Sequence, residues 1–358
     1  MSQKRARRRD RLVYLRSHPL LFALLAATRR RDAVRIGGTV IAHSRAAFTD
    51  GLIRVPLDRT AEGTTGGAAG ELAGGGLLFD QEGDDHRGAR RDLAASLGAD
   101  GVDRLRPIWT DILKHRLAPL ATGHAVDLVD VAAELSGATA AALLDLTADP
   151  HELAAAARSA AAAAAREHLP GPRPAAHRRA ARQAADHLNA LVGAAPDSGL
   201  AAMLAVAAIN TTVAGLPRAA AWCADADLWG YAESAPDALT GELLRVTAPT
   251  PLLPRVAAGT GAVAGHPIRR GDRLILIARH AVGAHDRDPS PTDPAPPQVS
   301  QLVFGAGPHA CPGARLARAQ LTDALVALAP YRPVVRDAVP DRRSALPGWA
   351  VLTVTATR

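Results

Sequence analysis

Residues Phe304–Gly313 read FGAGPHACPG and bring Cys311 to the start of a predicted helix. A thiolate that binds iron needs nearby backbone N–H groups and a helix N-terminus to stabilise its negative charge. Glycine lets the backbone approach a flat cofactor closely. The alternative is a buried free cysteine in an ordinary turn. Three glycines, His309 and the helix start around Cys311 favour an iron ligand over that alternative.

The same stretch matches a known signature at every fixed position: Phe, Gly, any, Gly, any, His or Arg, any, Cys, any, Gly. It resembles the haem-binding loop of cytochrome P450 enzymes of the soluble bacterial type. The resemblance implies haem b as cofactor and Cys311 as its metal ligand, because thiolate donation to the iron favours O–O cleavage. It also implies that Phe304, His309 and Gly313 contact the haem. The expected fold class is mainly α with a small β region, a cytochrome P450-like fold.

A second feature is Glu242-Leu243-Leu244-Arg245, which puts a carboxylate and a guanidinium on one helix face. Alone it is a common surface pair worth less than about 1 kcal/mol. Before the cysteine loop it is similar to the family's structural Glu-x-x-Arg pair. Relatives complete that pair to a triad with a second arginine, yet residues 289–304 contain none. We expect Gln298 or a backbone carbonyl to substitute.

A third feature lies in the long apolar segment 201–221, predicted to be a buried helix with a kink at Pro217. Its residues Ala207, Ala208, Asn210 and Thr211 align with the family's Ala-Gly-x-Asp/Glu-Thr stretch. The resemblance implies that the two alanines contact the haem and that Thr211 and Asn210 are catalytic. Asn cannot carry a titrating proton near neutral pH, so the usual proton relay is expected to be altered. The alternative is that these polar side chains only bend the helix by bonding back to its carbonyls.

Cationic side chains are expected to bind the haem propionates. His86 and Arg90 match the family's His-x-x-x-Arg, Arg255 follows the Glu-x-x-Arg helix, and His309 fills the basic signature position. Pairing of such groups with carboxylates is favourable. For any one of them the alternative is a solvated surface charge.

The expected function is oxidation of a small organic molecule, a natural-product biosynthetic intermediate, with O2 and electrons from an acidic ferredoxin and its reductase. A basic face is expected to dock that ferredoxin; it comprises Arg87, Arg90, Arg91, Arg315 and Arg318. Asn210 leaves open a non-hydroxylating reaction: oxidative coupling, rearrangement, nitrene transfer or a peroxide-driven oxidation. A degenerate haem protein with a recruiting role is the remaining alternative.

Charge and cysteine content limit the other classes of function. The chain has 358 residues and a net charge of +7, but six basic residues fall within the first eleven, and no zinc-finger spacing or aromatic–basic interleaving appears. We therefore expect no nucleic-acid partner. The apolar run 19–27 is too short to span a bilayer, and two cysteines form no disulfide framework. No membrane association and a cytoplasmic location are expected.

The chain divides into residues 1–18, expected to be a flexible basic tail, and residues 19–358, expected to be a single haem-thiolate domain shorter than its relatives. The pattern predicts two short strands around Gly37-Gly38 and a mobile loop over 60–76. Helices are predicted for most of 84–246 and for 312–328. The glycine-rich run Gly259–Gly265 lacks dinucleotide-loop spacing and is predicted to be a hairpin turn.

Overall fold

The computed structural model describes residues 2–73, 78–168, 175–193 and 198–357. Helices account for most of it, as the apolar periodicity of the middle of the chain predicts. The helices are α1 Ser2–Ser17, α2 Pro19–Thr28, α3 Arg45–Ile53, α4 Thr65–Ala73, α5 Gly83–Leu97, α6 Ala99–Leu117, α7 Leu128–Leu143, α8 Pro150–His168, α9 Ala175–Val192, α10 Ser198–Ala226, α11 Trp229–Ser234, α12 Pro236–Thr247, α13 Ala278–Ala281, α14 Pro297–Gln301 and α15 Ala314–Leu328.

Ten short strands form three sheets in the described ranges. A five-stranded sheet has the order β1-β2-β8-β5-β3, a three-stranded sheet has the order β4-β10-β9, and β6 and β7 form a hairpin. The predicted strand pair around Gly37 and the predicted hairpin turn near Gly265 are both present. The strands are β1 Ala33–Ile36, β2 Thr39–Ala42, β3 Leu57–Asp58, β4 Val126–Asp127, β5 Leu253–Ala257, β6 Gly261–Val263, β7 His266–Ile268, β8 Arg273–Leu276, β9 Val334–Pro340 and β10 Trp349–Thr355.

The helix α10 runs through the centre of the main core and packs against α1, α7 and α8. It continues through Pro217, which is buried. By length and composition it is the one described helix that could cross a membrane, yet 56% of its apolar window is buried inside the protein. The buried share is typical of a core helix, whose apolar side chains are covered by neighbouring elements.

The N-terminal segment differs from the expected flexible tail: residues 2–17 form helix α1, packed on α10. Asp10, which is 3% exposed, accepts hydrogen bonds from Arg218 (2.7 Å) and Arg279 (3.0 Å). The Tyr14 hydroxyl accepts from both guanidinium groups and donates to the carbonyl of Thr247 (2.7 Å). A basic composition predicts a solvated tail when the segment has no buried partner. Here Asp10 is an acidic residue within the basic segment, and it pairs with the buried Arg218 and Arg279.

The expected mobile loop over 60–76 also differs, because residues 65–73 form α4; residues 74–76 lie outside the described ranges. Thr64 accepts a hydrogen bond from the N–H of Gly67 (3.1 Å), which satisfies one free donor of the first turn. A Cβ on Gly66 would lie 2.0 Å from the carbonyl oxygen of Arg59. The glycines of α4 therefore permit close packing rather than mobility.

Candidate active site

The cysteine loop is held by its own backbone between the 3₁₀ turn Leu302–Phe304 and α15. The N–H of Cys311 donates to the carbonyl of Phe304 (2.8 Å), which closes the loop. Gly305 and Gly307 have φ values of +80° and +74°, a region that side-chain-bearing residues rarely adopt. The glycines of the signature are thus required by the turn that aims Cys311.

The Cys311 thiol lies at the N-terminal end of α15, just before its cap residue Gly313. The residue is exposed. Desolvation raises the pKa of the thiol, and a hydrogen bond from the N–H of Gly313 and the charge of Arg90 act to lower it. A Cβ on Gly313 would lie 3.9 Å from the sulfur. The site therefore offers a thiolate one backbone donor and one nearby cation.

All four residues expected to bind carboxylates lie beside this loop. His86 and His309 stack with their ring centroids 3.9 Å apart. Desolvation, together with the charges of Arg59, Arg255 and Arg90, lowers the pKa of His309 to about 3. Desolvation and the charge of Arg90 also lower the pKa of His86. Positive charge therefore accumulates here from several elements.

Arg255 is the member of this group that most needs a partner. Its Nη1 donates to the Thr65 hydroxyl (3.1 Å) and to the carbonyl of Pro254 (2.7 Å). Its Nε is buried without a hydrogen-bond partner in the part of the chain that the structure describes. Desolvation and the charge of Arg59 lower its pKa to about 10. A buried guanidinium with an unpaired N–H beside other cations fits an anionic group.

Arg59 joins the cluster although no motif pointed to it. Its side chain is largely buried and pairs with Glu82, which is 60% exposed, at 3.3 Å. Desolvation lowers the pKa of Arg59. An isolated arginine after a two-residue strand belongs to no motif, so no pattern in the chain could have pointed to it.

Arg90, the remaining expected anchor, turns toward the cysteine loop. Its Nη1 donates to the carbonyl of Ala310 at 2.5 Å, next to the cysteine. Arg90 thus fixes the loop and places a positive charge near the thiol. Its expected contact with a carboxylate stays a prediction.

On α10, the side chains of Thr211 and Asn210 bond back to the helix. The Thr211 hydroxyl donates to the carbonyls of Ala207 (2.9 Å) and Ala208 (3.3 Å). The Asn210 amide donates to the carbonyls of Val206 (2.8 Å) and of Ala157 on α8 (3.3 Å). This is the back-bonding of the alternative interpretation, extended by a tie between two helices.

Asn210 and Ala208 face different sides of α10. Ala208 lines a small cavity with Thr212 and with Leu316 of α15, the helix that follows Cys311. Asn210 lines a separate cavity toward α8 and the chain before β10. Residues two apart on a helix lie about 200° apart, so this separation follows from the helix itself.

The pair Glu242–Arg245 is buried and has several partners. Arg245 donates to both Glu242 oxygens (2.9 and 2.7 Å) and to the carbonyls of Gly283, Arg287 and Asp288. The Glu242 carboxylate also accepts from backbone N–H groups and lies 3.7 Å from the Arg287 guanidinium. Backbone carbonyls fill the expected gap, and Arg287 supplies a second cation from just before the arginine-free stretch.

The expected docking face is only partly exposed. Arg87, Arg91 and Arg315 are exposed. Arg90 turns inward to Ala310, and Arg318 lies over the ring of Phe304 at 5.2 Å. The face therefore presents three exposed arginines rather than five to a partner, and one of them, Arg87, pairs with Asp84.

Comparison with solved structures places the fold. No family model matches the chain. A structure of epothilone B-bound cytochrome P450epoK superposes with a TM-score of 0.76 at 18% identity, covering 94% of this chain and 96% of that one. A mutant of P450 EryK in complex with erythromycin B gives 0.74 at 22% identity, over 94% and 96%. Mycobacterium smegmatis CYP164A2 gives 0.71 at 23% identity, over 94% and 100%.

One stretch also resembles curated proteins. It is 36% identical over 124 residues to a Mycobacterium tuberculosis protein whose name assigns it to cytochrome P450 140. A Mycobacterium bovis protein of the same name matches equally. The match covers 32% of this chain and 27% of each of those proteins.

Proposed function

We propose that this chain, which has the cytochrome P450 fold, is a haem-thiolate oxidoreductase that oxidises a small organic molecule. The observation that carries the proposal is Cys311, which a glycine-rich loop holds at the N-terminus of α15. The loop sequence matches the haem-binding signature at every fixed position. The structural relatives named with erythromycin B and epothilone B support a natural-product intermediate as the substrate. The proposed location is the cytoplasm.

The chain's residues fit a haem that carries two carboxylates. Arg255, with its buried unpaired Nε, would hold one carboxylate together with His309 and His86, and Arg59 lies close enough to add charge. Cys311 would be the iron ligand, and haem b is the proposed form. When bound, the haem would supply the activation of dioxygen and the redox chemistry.

Residues of this chain would stabilise the thiolate and position a proton donor. The N–H of Gly313 and the charge of Arg90 stabilise the thiolate, because both lower the pKa of Cys311 against the effect of desolvation. Thr211 holds its hydroxyl proton on the carbonyls of Ala207 and Ala208. The Thr211 oxygen keeps its acceptor lone pairs, so it can accept a hydrogen bond from a water molecule.

Electrons would come from an acidic ferredoxin with its reductase. Arg87 and Arg91 on α5 and Arg315 on α15, the two helices beside the cysteine loop, are exposed and would attract an acidic surface. These arginines should increase the rate at which the ferredoxin associates, and the increase should weaken with salt, since exposed charges act mainly through electrostatic steering.

Asn210 favours a second candidate: a non-hydroxylating oxidation, such as coupling, rearrangement, nitrene transfer or a peroxide-driven reaction. Its amide is occupied by the carbonyls of Val206 and Ala157 and carries no titrating proton. A reaction that needs less proton delivery would proceed without a titrating side chain at position 210. Efficient, well-coupled hydroxylation in a single turnover by the native protein would contradict this second candidate.

The test is the carbonyl spectrum of the purified, haem-loaded protein. The ferrous–CO complex is expected to give the long-wavelength Soret band of a thiolate-ligated haem, and Cys311→Ser is expected to lose it. Cys223→Ala is the matched control, because Cys223 is buried in α10 and burial raises the pKa of its thiol. A native protein without that band, or a Cys311→Ser variant that retains it, would contradict the proposed function.

A further inference from the structure

The outer faces of α1 and α2 form an apolar surface that the rest of the described chain does not cover. Leu20, at the start of α2, is 86% exposed, and Leu24 on the same helix is 43% exposed. On α1, Leu12 and Leu15 are 40% and 44% exposed. These leucines are four of the nine large apolar side chains that are exposed in the described ranges. Their concentration on two consecutive helices indicates a contact surface, since scattered exposed residues would be spread over the molecule.

The helical period places the leucines of α1 on its outer side. Asp10 and Val13 are buried against the protein. At about 100° per residue, Leu12 and Leu15 lie roughly opposite those buried side chains. The outer face of α1 is therefore fixed by the same contacts that hold its inner face.

The helix α2 has an outer face that is wholly apolar. It has ten residues, none of them charged, and it buries Leu25 in a small core with Ile41 and Ile277. Its exposed side chains follow the spacing i, i+3, i+4 and i+7, which is one face of a helix; they are Leu20, Ala23, Leu24 and Ala27. The two helices pack on each other, and the rings of Tyr14 and Phe22 meet edge to face at 4.8 Å between centroids.

Unpaired cations surround this apolar surface. Between Gln3 and Arg31 the single acidic residue is Asp10, which is buried. Exposed cations of the same segment have neither an ion pair nor a side-chain hydrogen bond within the described ranges; they are Lys4, Arg8, Arg11, Arg16, Arg29, Arg30 and Arg31. The segment therefore carries a concentrated positive charge that no neighbouring carboxylate neutralises.

This combination matches the interface of a bilayer that contains anionic lipid. Leucines of a surface helix enter the boundary between head groups and acyl chains, and arginines bind the phosphates above it. A protein-binding surface is typically enriched in aromatic residues. The exposed apolar residues of α1 and α2 are leucine, alanine and proline, which favours lipid over a protein partner.

We infer that α1 and α2 bind the surface of a membrane that contains anionic phospholipid. The leucines of the two helices insert among the lipids, and the surrounding arginines contact the head groups. A helix of ten residues is too short to span the bilayer, so the contact is peripheral. The inference goes beyond the proposed oxidation, and it differs from the expected absence of membrane contact, which rested on the length of the run 19–27.

The test is co-sedimentation of the haem-loaded protein with lipid vesicles, with the bound fraction measured by haem absorbance. One set of vesicles contains phosphatidylcholine alone, and the other contains phosphatidylcholine mixed with phosphatidylglycerol. Binding is expected to the phosphatidylglycerol vesicles and to weaken at high salt, because the arginines act through charge. No binding to those vesicles, or equal binding to both sets, would overturn the inference.

Two pairs of variants locate the contact. Leu20→Ser is expected to weaken binding roughly tenfold, since it removes the most exposed apolar side chain; Val326→Ser is its control, because Val326 is 41% exposed on α15. Arg30→Gln/Arg31→Gln is expected to weaken binding roughly thirtyfold, since each cation at an anionic surface contributes several-fold. Arg269→Gln/Arg270→Gln makes the same change of charge at an exposed turn and should bind as the native protein does. Equal binding by a variant and its control would contradict the assignment to α1 and α2.

A contact between proteins is the competing use of this surface. Sedimentation velocity of the native protein without lipid is expected to show no association that Leu20→Ser abolishes. A native protein that ignores both sets of vesicles and self-associates through Leu20 would overturn the inference and assign the surface to a second copy of the chain.

Discussion

Asp10→Asn is expected to destabilise the protein severely, although it changes one residue of an N-terminal helix. The carboxylate is 3% exposed and receives hydrogen bonds from Arg218 (2.9 and 2.7 Å) and from Arg279 (3.0 Å). Arg218 is 1% and Arg279 is 5% exposed. The substitution leaves both guanidinium groups buried without their carboxylate.

The magnitude follows from that burial. Removing one partner of a buried ion pair costs about 3–5 kcal/mol, because the other charge is left uncompensated. Here two cations lose the same partner, and Tyr14 remains as a neutral acceptor for both. For a chain of 358 residues this corresponds to a fall in Tm of roughly 4–7 °C.

The assay is chemical and thermal unfolding of the haem-loaded protein, followed by the haem absorbance. Asp227→Asn is the matched control, because Asp227 pairs with Arg332 at 3.4 Å on the surface. An exposed pair contributes about 0–1 kcal/mol, so this control should be nearly neutral. A loss below about 1 kcal/mol for Asp10→Asn would show that buried charge does not hold α1 in place.

Three further outcomes are expected. Burial lowers the pKa of His280 to about 3 and of His285 to about 2. Below the ordinary histidine pKa of about 6.5, the unfolded chain therefore binds more protons than the folded chain. Stability should therefore fall as pH drops below about 6.5, by up to about 1.4 kcal/mol per pH unit for each histidine; an unchanged pH slope in His280→Gln urea titrations would contradict this. Gly307→Ala should cost about 1–2 kcal/mol by thermal unfolding, because φ is +74° and a Cβ would lie 3.3 Å from Ile53, whereas Gly38→Ala meets open space and should be tolerated. Arg255→Gln should speed haem loss to apomyoglobin, and an unchanged rate would argue against a propionate contact.

The sequence predicted the parts of the structure that depend on local pattern. The loop at Cys311, the buried helix α10 and the strand pair around Gly37 follow from glycine positions and apolar periodicity. The α1 helix could not be predicted, because Asp10 and Arg218 are 208 residues apart and only the fold brings them together. Arg59 was missed for the same reason. Asn210 was singled out by resemblance, while its contact with Ala157 depends on how α8 packs on α10.

Iron K-edge X-ray absorption of the purified, haem-loaded protein shows whether Cys311 is the iron ligand. One sulfur scatterer bound to iron is expected in the native protein, retained in Cys223→Ala and lost in Cys311→Ser. An iron with only nitrogen and oxygen neighbours in the native protein, or a sulfur signal that survives Cys311→Ser, would contradict it.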